Sequence, residues 1–589
     1  MKKTFKNPLL YLFQKTWLYS AGSRGMVLWF WLLFICAICI DMFFSPFVWA
    51  KIMNVLQQEG ITDANLPFLL SLLSFTFLAN ILFWSFHGPA RIMERVNAFK
   101  VRLNYRKRLL EGVITLPMGW HAEHHSGDTI DKVEKGTGAL YRFSEDTYQT
   151  VYSIIQLVGS SAVLFYFNPF SIVIVLGMIF LAVLSVMRID RVLIPQYKKL
   201  NHAENAVSES TFDAISNITT VIILRVEKLI WGAIVNRAEQ PFPLYRKNIS
   251  LNEAKWALTS VFCSVTTVLV LGTYFWEQAR TPGIFLIGNV YLLINYLDRI
   301  NNLFFRFTEQ YGDMIQLKAK VENSEELTED FTGEKLTGHV LPKKWEQIDV
   351  RDLDFGYLAE DEVLHLEGVS LSFRKGERVA LVGESGSGKT TLLKVMRDLY
   401  SPRNLDLSVD GKKVKGGFSA IARAISLIPQ SPEIFATTIW ENITLGADYN
   451  EKLVRHYTDL ACFTDIAESL PNGFKSSIKE KGVNLSGGQQ QRLALARGLL
   501  ASRNKDIILL DESTSSVDAI NEMDIFRNIF HEFEGKTVIS SIHRLHLLPM
   551  FDKICFFSNG RIIAQGTLEE LLSSCESFKD LWNKYHNAE

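Results

Sequence analysis

The 589-residue sequence is poor in net charge and in cysteine: 62 Lys and Arg stand against 63 Asp and Glu, and only six cysteines are spread along the chain. A net charge of -1 supplies no global field of the kind that holds nucleic acid. Cys36, Cys39, Cys263, Cys462, Cys555 and Cys575 make no disulfide framework, as expected of a chain whose polar parts face a reducing cytoplasm. Only Cys36 and Cys39, in CAIC, have a suggestive spacing. With no second pair beside them, two small residues on one face of an apolar helix is the simpler reading. A cleavable signal is also lacking, because the first apolar run comes late and no small-residue cleavage site follows it.

What the chain has in quantity is apolar residues, 48% of the total, arranged differently in its two parts. Up to about residue 310 they form long blocks; from about 345 they form short runs broken by Gly, Asp and Lys. The pattern predicts an all-α membrane part followed by a soluble α/β part. Six spans are expected, at roughly 26–50, 66–86, 151–167, 170–187, 256–275 and 284–305, each near the length that a hydrocarbon core of about 30 Å demands. Two connections of about sixty residues, rich in Lys and Arg, separate the second span from the third and the fourth from the fifth. The positive-inside bias places both connections, the N-terminus and the C-terminal part in the cytoplasm.

The long connections have few helix breakers, so spans two to five are expected to continue out of the bilayer as helices that meet at tips near 120–129 and 209–217. His121, His124 and His125 at the first tip either share a helix face and bind a metal or belong to a solvated contact surface. Phe5, Leu9, Phe13 and Trp17 recur every fourth residue among lysines, as in a helix lying in the headgroup plane or one packed on protein. Charges at membrane depth cost on the order of 3 kcal/mol, which makes Asp41, Asp298 and Arg299 candidates for a pathway or for pairs with a neighbouring helix. The expected plan is an N-terminal helix at 1–25, a six-helix membrane domain at 26–320, a linker at 321–345 and a nucleotide-binding domain at 346–589.

In the soluble part GESGSGKTT, at 383–391, follows the apolar strand RVALVG and opens a helix, the context that a phosphate loop requires. The backbone N–H groups of Gly386, Gly388, Lys389 and Thr390 make an anion nest. Lys389 would neutralise the β and γ phosphates and the Thr390 hydroxyl would take a place on Mg2+. Farther on KDIILLDE reads as a buried parallel strand whose end delivers Asp511 to the metal and Glu512 to the attacking water. A second helix start suited to an anion, LSGGQ at 485–489, stands about a hundred residues after the first.

Tyr357, the loop Gly383, Glu384, Ser385, Gly386, Ser387, Gly388, Lys389, Thr390 and Thr391, then Gln430, the signature Leu485, Ser486, Gly487, Gly488 and Gln489, ILLDE at 508–512, SSVD ending at Asp518, and His543 stand in the order that resembles ATP-binding cassette transporters. With six preceding spans the whole chain resembles the exporter-type half-transporter of that superfamily, which includes lipid flippases and multidrug exporters. Thr390, where the family more often has Ser, keeps the hydroxyl, and SSVD keeps the Asp. The resemblance implies a RecA-like P-loop domain with a helical subdomain, Tyr357 stacking on adenine, Gln430 touching Mg2+ and water, His543 holding the γ-phosphate and Asp518 contacting the other cassette. It also implies that Ser486, Gly487 and Gly488 close over the ATP of a partner chain, which is why two cradles are present.

The expected function is therefore an ATP-driven exporter or flippase of a hydrophobic or amphipathic compound. It works as a dimer, with a homodimer favoured and a heterodimer allowed, among membrane lipids and without nucleic acid. Its expected place is a bacterial plasma membrane, multi-pass, with the cassette cytoplasmic. The absence of a peptidase domain before the spans argues against a processing exporter of leader peptides. Two alternatives stay open: an exporter-shaped importer, and a gated channel or regulator on the same scaffold, which intact Glu512 and Ser486 disfavour.

Overall fold

The computed structural model of the protein describes residues 7–124, 126–280, 285–331, 341–357, 363–478 and 485–586. Two compact units emerge, one of Met1–Thr115 and His125–Phe331, the other of Leu116–His124 and Thr332–Glu589.

The first unit is helical. It opens with α1 (Pro8–Tyr19), α2 (Arg24–Cys39), a π-helical turn (Ile40–Phe44), α3 (Ser45–Glu59) and α4 (Leu66–Ile114); after α5 (Met118–Glu123), which falls in the second unit, come α6 (Ser126–Glu145), α7 (Thr147–Phe167), α8 (Pro169–Ser216), α9 (Ile218–Ile223), α10 (Glu227–Glu239), α11 (Phe242–Gln278) and α12 (Ile287–Glu326). At 1.5 Å per residue, the 49 residues of α4 and the 48 of α8 each span roughly 70 Å, more than twice a hydrocarbon core. The expected cytoplasmic extensions are therefore continuous helices in those two cases. Deep in the extended pair α8 and α11, Lys255 Nζ donates to Asp190 Oδ1 at 3.2 Å with both side chains about a tenth exposed.

The third span departs from the expectation, because its extension is a separate helix, α6, broken from α7 at Asp146. The freed backbone groups are met by α4. Buried Glu94 accepts from Thr147 Oγ1 at 2.5 Å and from Tyr148 N at 2.7 Å, while Arg91 pairs with Glu94 and donates to the Glu145 carbonyl at 3.1 Å. Glu94 thus caps the N-terminus of α7 from another helix, where the dipole favours an anion.

Five helical stretches among the described residues are long and apolar enough to cross a membrane; α12 is long enough but not apolar enough. The reason is visible in its neighbours. α12 packs against α3, α6, α7 and α11, and buries Leu292, Leu293, Tyr296, Leu297 and Ile300; its neighbours partly cover Asn289, Asn295, Arg299 and Asn301, while Asp298 and Asn302 stay exposed.

Two further readings change. The N-terminal helix buries Tyr11, Leu12, Thr16 and Tyr19 rather than the expected stripe, of which Phe5 lies outside the described residues; Lys15 and Tyr19 bond to Glu325 at 2.5 and 3.1 Å, with Leu10, Trp17 and Leu18 left outward. The expected linker is shorter than 321–345. The helix runs to Glu326 because Val321, Ser324 and Leu327 form a buried face, and Trp345 is already in the core of the second unit.

The second unit follows with β1 (Gln347–Phe355), β2 (Leu366–Arg374), β3 (Arg378–Gly383), α13 (Lys389–Met396), β4 (Asn404–Val409), β5 (Lys412–Lys413), β6 (Ile425–Ile428), α14 (Ile439–Thr444), α15 (Glu451–Leu460), α16 (Thr464–Ser469), α17 (Gly487–Ser502), β7 (Ile507–Asp511), α18 (Ala519–Glu532), β8 (Thr537–Ser541), β9 (Lys553–Ser558), β10 (Arg561–Gly566), α19 (Leu568–Ser574) and α20 (Glu576–His586). An antiparallel sheet has the order β2-β1-β4-β5, and a mainly parallel sheet the order β10-β9-β3-β8-β7-β6. In the parallel sheet alternate residues enter opposite cores: Val379, Leu381, Ile507 and Leu509 pack with α13 and the antiparallel sheet, while Ala380, Val382, Ile508 and Leu510 pack with α14, α17 and α18. Burial on both faces explains why these strands read as unbroken apolar runs.

Candidate active site

The loop between β3 and α13 turns through Gly386 and Gly388, whose φ of 81° and 108° are left-handed values that side-chain-bearing residues adopt with strain. Gly388 has no room besides, since a Cβ there would stand 2.9 Å from Leu366 Cδ2. Lys389 folds back over the loop, donating to the carbonyls of Gly383 and Glu384 at 2.7 and 2.9 Å and to Ser387 Oγ at 3.4 Å. Burial pushes its ammonium below the usual lysine range, while Glu512 and Asp511 hold it up. A triphosphate entering the nest would meet a cation already aimed along it.

The register of β7 between β6 and β8 brings the acids to the same edge. Asp511 Oδ1 accepts from Thr390 Oγ1 at 2.8 Å and from Ser541 Oγ at 2.9 Å. A carboxylate and a hydroxyl side by side are the hard oxygen donors that suit Mg2+, and the Gln430 amide oxygen is the third candidate. Glu512, with a left-handed φ of 44°, turns the chain so that its side chain leaves the strand direction. Its Oε2 accepts from Gln430 Nε2 at 2.6 Å, and its Oε1 lies 3.2 Å from His543 Nε2. Gln430, Glu512 and His543 therefore form one group at the carboxyl edge of the sheet, beside Lys389, Thr390 and Asp511.

Tyr357 is exposed on one side and edge-on to Phe355, His365 and Tyr400, with its hydroxyl 3.3 Å from Thr391 Oγ1. Ser486 is exposed and caps α17: its Oγ accepts from Gln489 N, and Gln489 Oε1 accepts from Ser486 N at 2.9 Å. Asp518 caps α18, accepting from Asn521 N and Nδ2, which holds its carboxyl below the usual range. The stretch 482–484 that precedes the signature lies outside the described residues, as does His125. His124 stacks on Trp120 at 4.1 Å, and among the described residues no group of three potential ligands is placed to hold a metal.

Four residues at this edge escape motif reading. Gln491 donates to the Gln430 carbonyl at 3.3 Å and to Ser515 Oγ at 2.8 Å, and accepts from Ser516 N at 2.7 Å. Arg544, next to His543, donates to the carbonyl of Val517 at 2.7 Å and to Glu522 Oε2 at 3.0 Å. Glu522 also accepts from Thr514 Oγ1 at 2.7 Å. Lys584 of α20 lines, with Leu581, Gly383, Glu384 and His543, a cavity of about 290 Å³. The only sequence signals were the run QQQR after the signature and the Arg that follows the His.

Comparison with known proteins places both units. Residues 28–296 match the ABC transporter transmembrane region, and residues 366–515 match the ABC transporter cassette. The chain belongs to the ABC transporter family. This ABC transporter is 28% identical, over 84% of its length and 85% of the relative's, to the glutathione/L-cysteine transport system ATP-binding/permease protein CydD of Bacillus subtilis (strain 168). It is 26% identical, over 90% and 91%, to the ATP-dependent lipid A-core flippase of Idiomarina loihiensis. The heterocyst differentiation ATP-binding protein HepA of Nostoc sp. is 38% identical, but over 41% of this chain and 39% of its own. Among solved structures, a bacterial Atm1-family ABC exporter with ATP bound superposes with a TM-score of 0.83 at 20% identity, covering 96% of this chain and 99% of that one. The protein is thus a multi-pass membrane transporter of exporter architecture, whose cassette binds ATP.

Proposed function

We propose that two copies of this chain form an ATP-driven exporter or flippase of amphipathic compounds, with two ATP molecules held between their cassettes. The observation that carries the reading is the group around Glu512: a carboxylate beside the phosphate loop, with both oxygens engaged by Gln430 and His543. Glu512 would take the proton of the attacking water, Gln430 and His543 would hold water and γ-phosphate in line, and Lys389 would carry phosphate charge. Thr390 and Asp511 would hold Mg2+, which when bound offsets charge on the phosphates.

Ser486 and Gly487 are exposed on their own chain, as suits residues that meet a partner's nucleotide. Closure can move the membrane part only through contacts that differ between the two states. Two features support such contacts: 116–124 falls in the second unit, and the 209–217 tip exposes Phe212 and Ile215, with Ile223 and Trp231 also exposed on the helices that follow it. The test is Glu512→Gln in purified protein reconstituted in liposomes. General-base loss should lower ATP turnover by about 10²–10⁴-fold with ATP binding retained. Turnover at the undamaged rate would sink the reading.

A further inference from the structure

The membrane unit holds a group of charged and aromatic side chains that ATP chemistry leaves unused. Asp41 lies in the π-helical turn, the kind of bulge that recurs at functional sites. Arg299 of α12 reaches it: Nη1 donates to Asp41 Oδ2 at 3.1 Å, Nη2 to the Asp41 carbonyl at 3.3 Å, and Nε to Asn295 Oδ1 at 3.1 Å. Tyr296 secures the same turn by donating to the Met42 carbonyl at 2.8 Å. Seven residues on, and so on nearly the same side of α12, Arg306 donates to Gln149 Oε1 at 3.3 Å and stands over the Tyr152 ring at 5.1 Å. Arg306 has no carboxylate partner among the described residues.

Gln149, Tyr152, Gln156 and Ser160 share one face of α7 by their spacing. Gly159 sets that stretch against the Asp41 turn, since a Cβ there would stand 2.2 Å from Met42 Cε. Gln156 is 4% and Ser160 0% exposed, yet Gln156 Oε1 and Ser160 Oγ have no hydrogen-bond partner among the described residues. An unpaired buried polar group costs about 1–3 kcal/mol, which a ligand would relieve. Beside Arg299, Asp298 and Asn302 are exposed on α12. A bare charge at that depth would cost on the order of 3 kcal/mol in lipid, so this side faces water or protein in the working assembly. Asp41 pairs with Arg299, whereas the partners of Arg306 among the described residues are the Gln149 amide oxygen and the Tyr152 ring, which leave its guanidinium charge to meet an anion.

We propose that Arg306 and Arg299, with Gln149 and Tyr152, bind the anionic group, carboxylate or phosphate, of an amphipathic substrate, that Gln156 accepts from a hydrogen-bond donor beside that group, and that Asp41 aims Arg299. The proposal rests on the transport reading above and names the substrate class. A guanidinium fork matches either anion, the free amide oxygen of Gln156 and hydroxyl of Ser160 on α7 meet hydrogen-bonding groups beside it, and the Tyr152 ring takes its apolar part.

The chemistry has two sources, a soluble carboxylate or a lipid headgroup, and two probes separate them: glutathione disulfide added to phosphatidylcholine liposomes, and phosphatidic acid mixed into them. Full-length protein is assayed for the probe concentration that half-stimulates ATP hydrolysis. Response to the first probe alone assigns a soluble substrate, and response to the second alone a lipid; response to both supports an anion site open to either. Arg306→Gln should raise the half-stimulating concentration at least about tenfold, and Arg306→Lys less. Gln156→Leu keeps the fold, because it removes an unsatisfied amide, and should raise that concentration about threefold. No response to either anion, or both Arg306→Gln and Gln156→Leu responding like the undamaged chain, overturns the anion site. Failure of the transport reading looks different: ATP hydrolysis would then persist in Glu512→Gln.

Discussion

At the scale of single residues, Gln491 is the side chain on which most of the catalytic edge depends without its touching a phosphate. It ties the backbone of Gln430 to Ser515 and Ser516, and Gln430 in turn holds Glu512. Gln491→Leu keeps the volume but leaves the Ser516 N–H without its acceptor, at a cost of about 1–3 kcal/mol. The expected result is turnover lowered about tenfold with the KM for ATP within about twofold, because the phosphate loop is untouched. Gln491→Glu, which still accepts from Ser516 but cannot donate, should fall between. Steady-state kinetics with a thermal unfolding curve for each variant decide it, and a rise in KM without loss of kcat would refute the positioning role. The contrast with Thr390 and Asp511 explains what a sequence can tell. Those two are legible because the phosphate loop and the strand end are local patterns, each dictated by its own few residues. Gln491 and Arg544 act through partners 22 to 61 residues away, and Glu522 through Arg544 as well as Thr514, and their pairing is set by how α17 and α18 pack on the sheet, which no local pattern encodes.

At the scale of elements, hydropathy marks five helical stretches as apolar enough to cross a membrane and passes over α12, which packs against several other helices. α12 meets α3 so closely that Gly288 N donates to Asn54 Oδ1 at 2.8 Å, and a Cβ on Gly288 would stand 2.2 Å from the Ala50 carbonyl oxygen. Backbone cannot yield as a side chain can, so Gly288→Ala should destabilise the membrane unit by about 1–3 kcal/mol. In detergent the apparent unfolding midpoint should drop by roughly 2–10 °C. Gly25→Ala, in the first turn of α2 with nothing within 4 Å of its Cβ, is the matched control and should not lower it. Equal midpoints for both variants would show that the two helices cross farther apart. The break between α6 and α7 was equally hidden from the sequence, since Asp146 alone breaks nothing. It is the Glu94 carboxylate of α4, buried and aimed at Thr147 and Tyr148, that makes a new helix start worthwhile there.

At the scale of the whole molecule, the question is whether one chain completes its own hydrolytic site. If each ATP lies between the phosphate loop of one chain and Ser486 of the other, lesions combine in an unusual way. Two differently tagged chains, purified as mixed dimers, make the test. With Lys389→Ala and Ser486→Arg on the same chain and an intact partner, the first lesion removes one site's loop and the second removes the other site's signature, so neither site is whole. With the two lesions on opposite chains, both strike the same site and the other is untouched. Trapped ATP should therefore be near zero per dimer in the first arrangement and about one in the second. Self-sufficient chains would give the reverse, because an intact partner would keep its own site in the first arrangement and no chain would be intact in the second. The ordering of the two trapped amounts, measured as bound nucleotide per dimer in the Glu512→Gln background, decides between shared and private sites whatever the absolute rates.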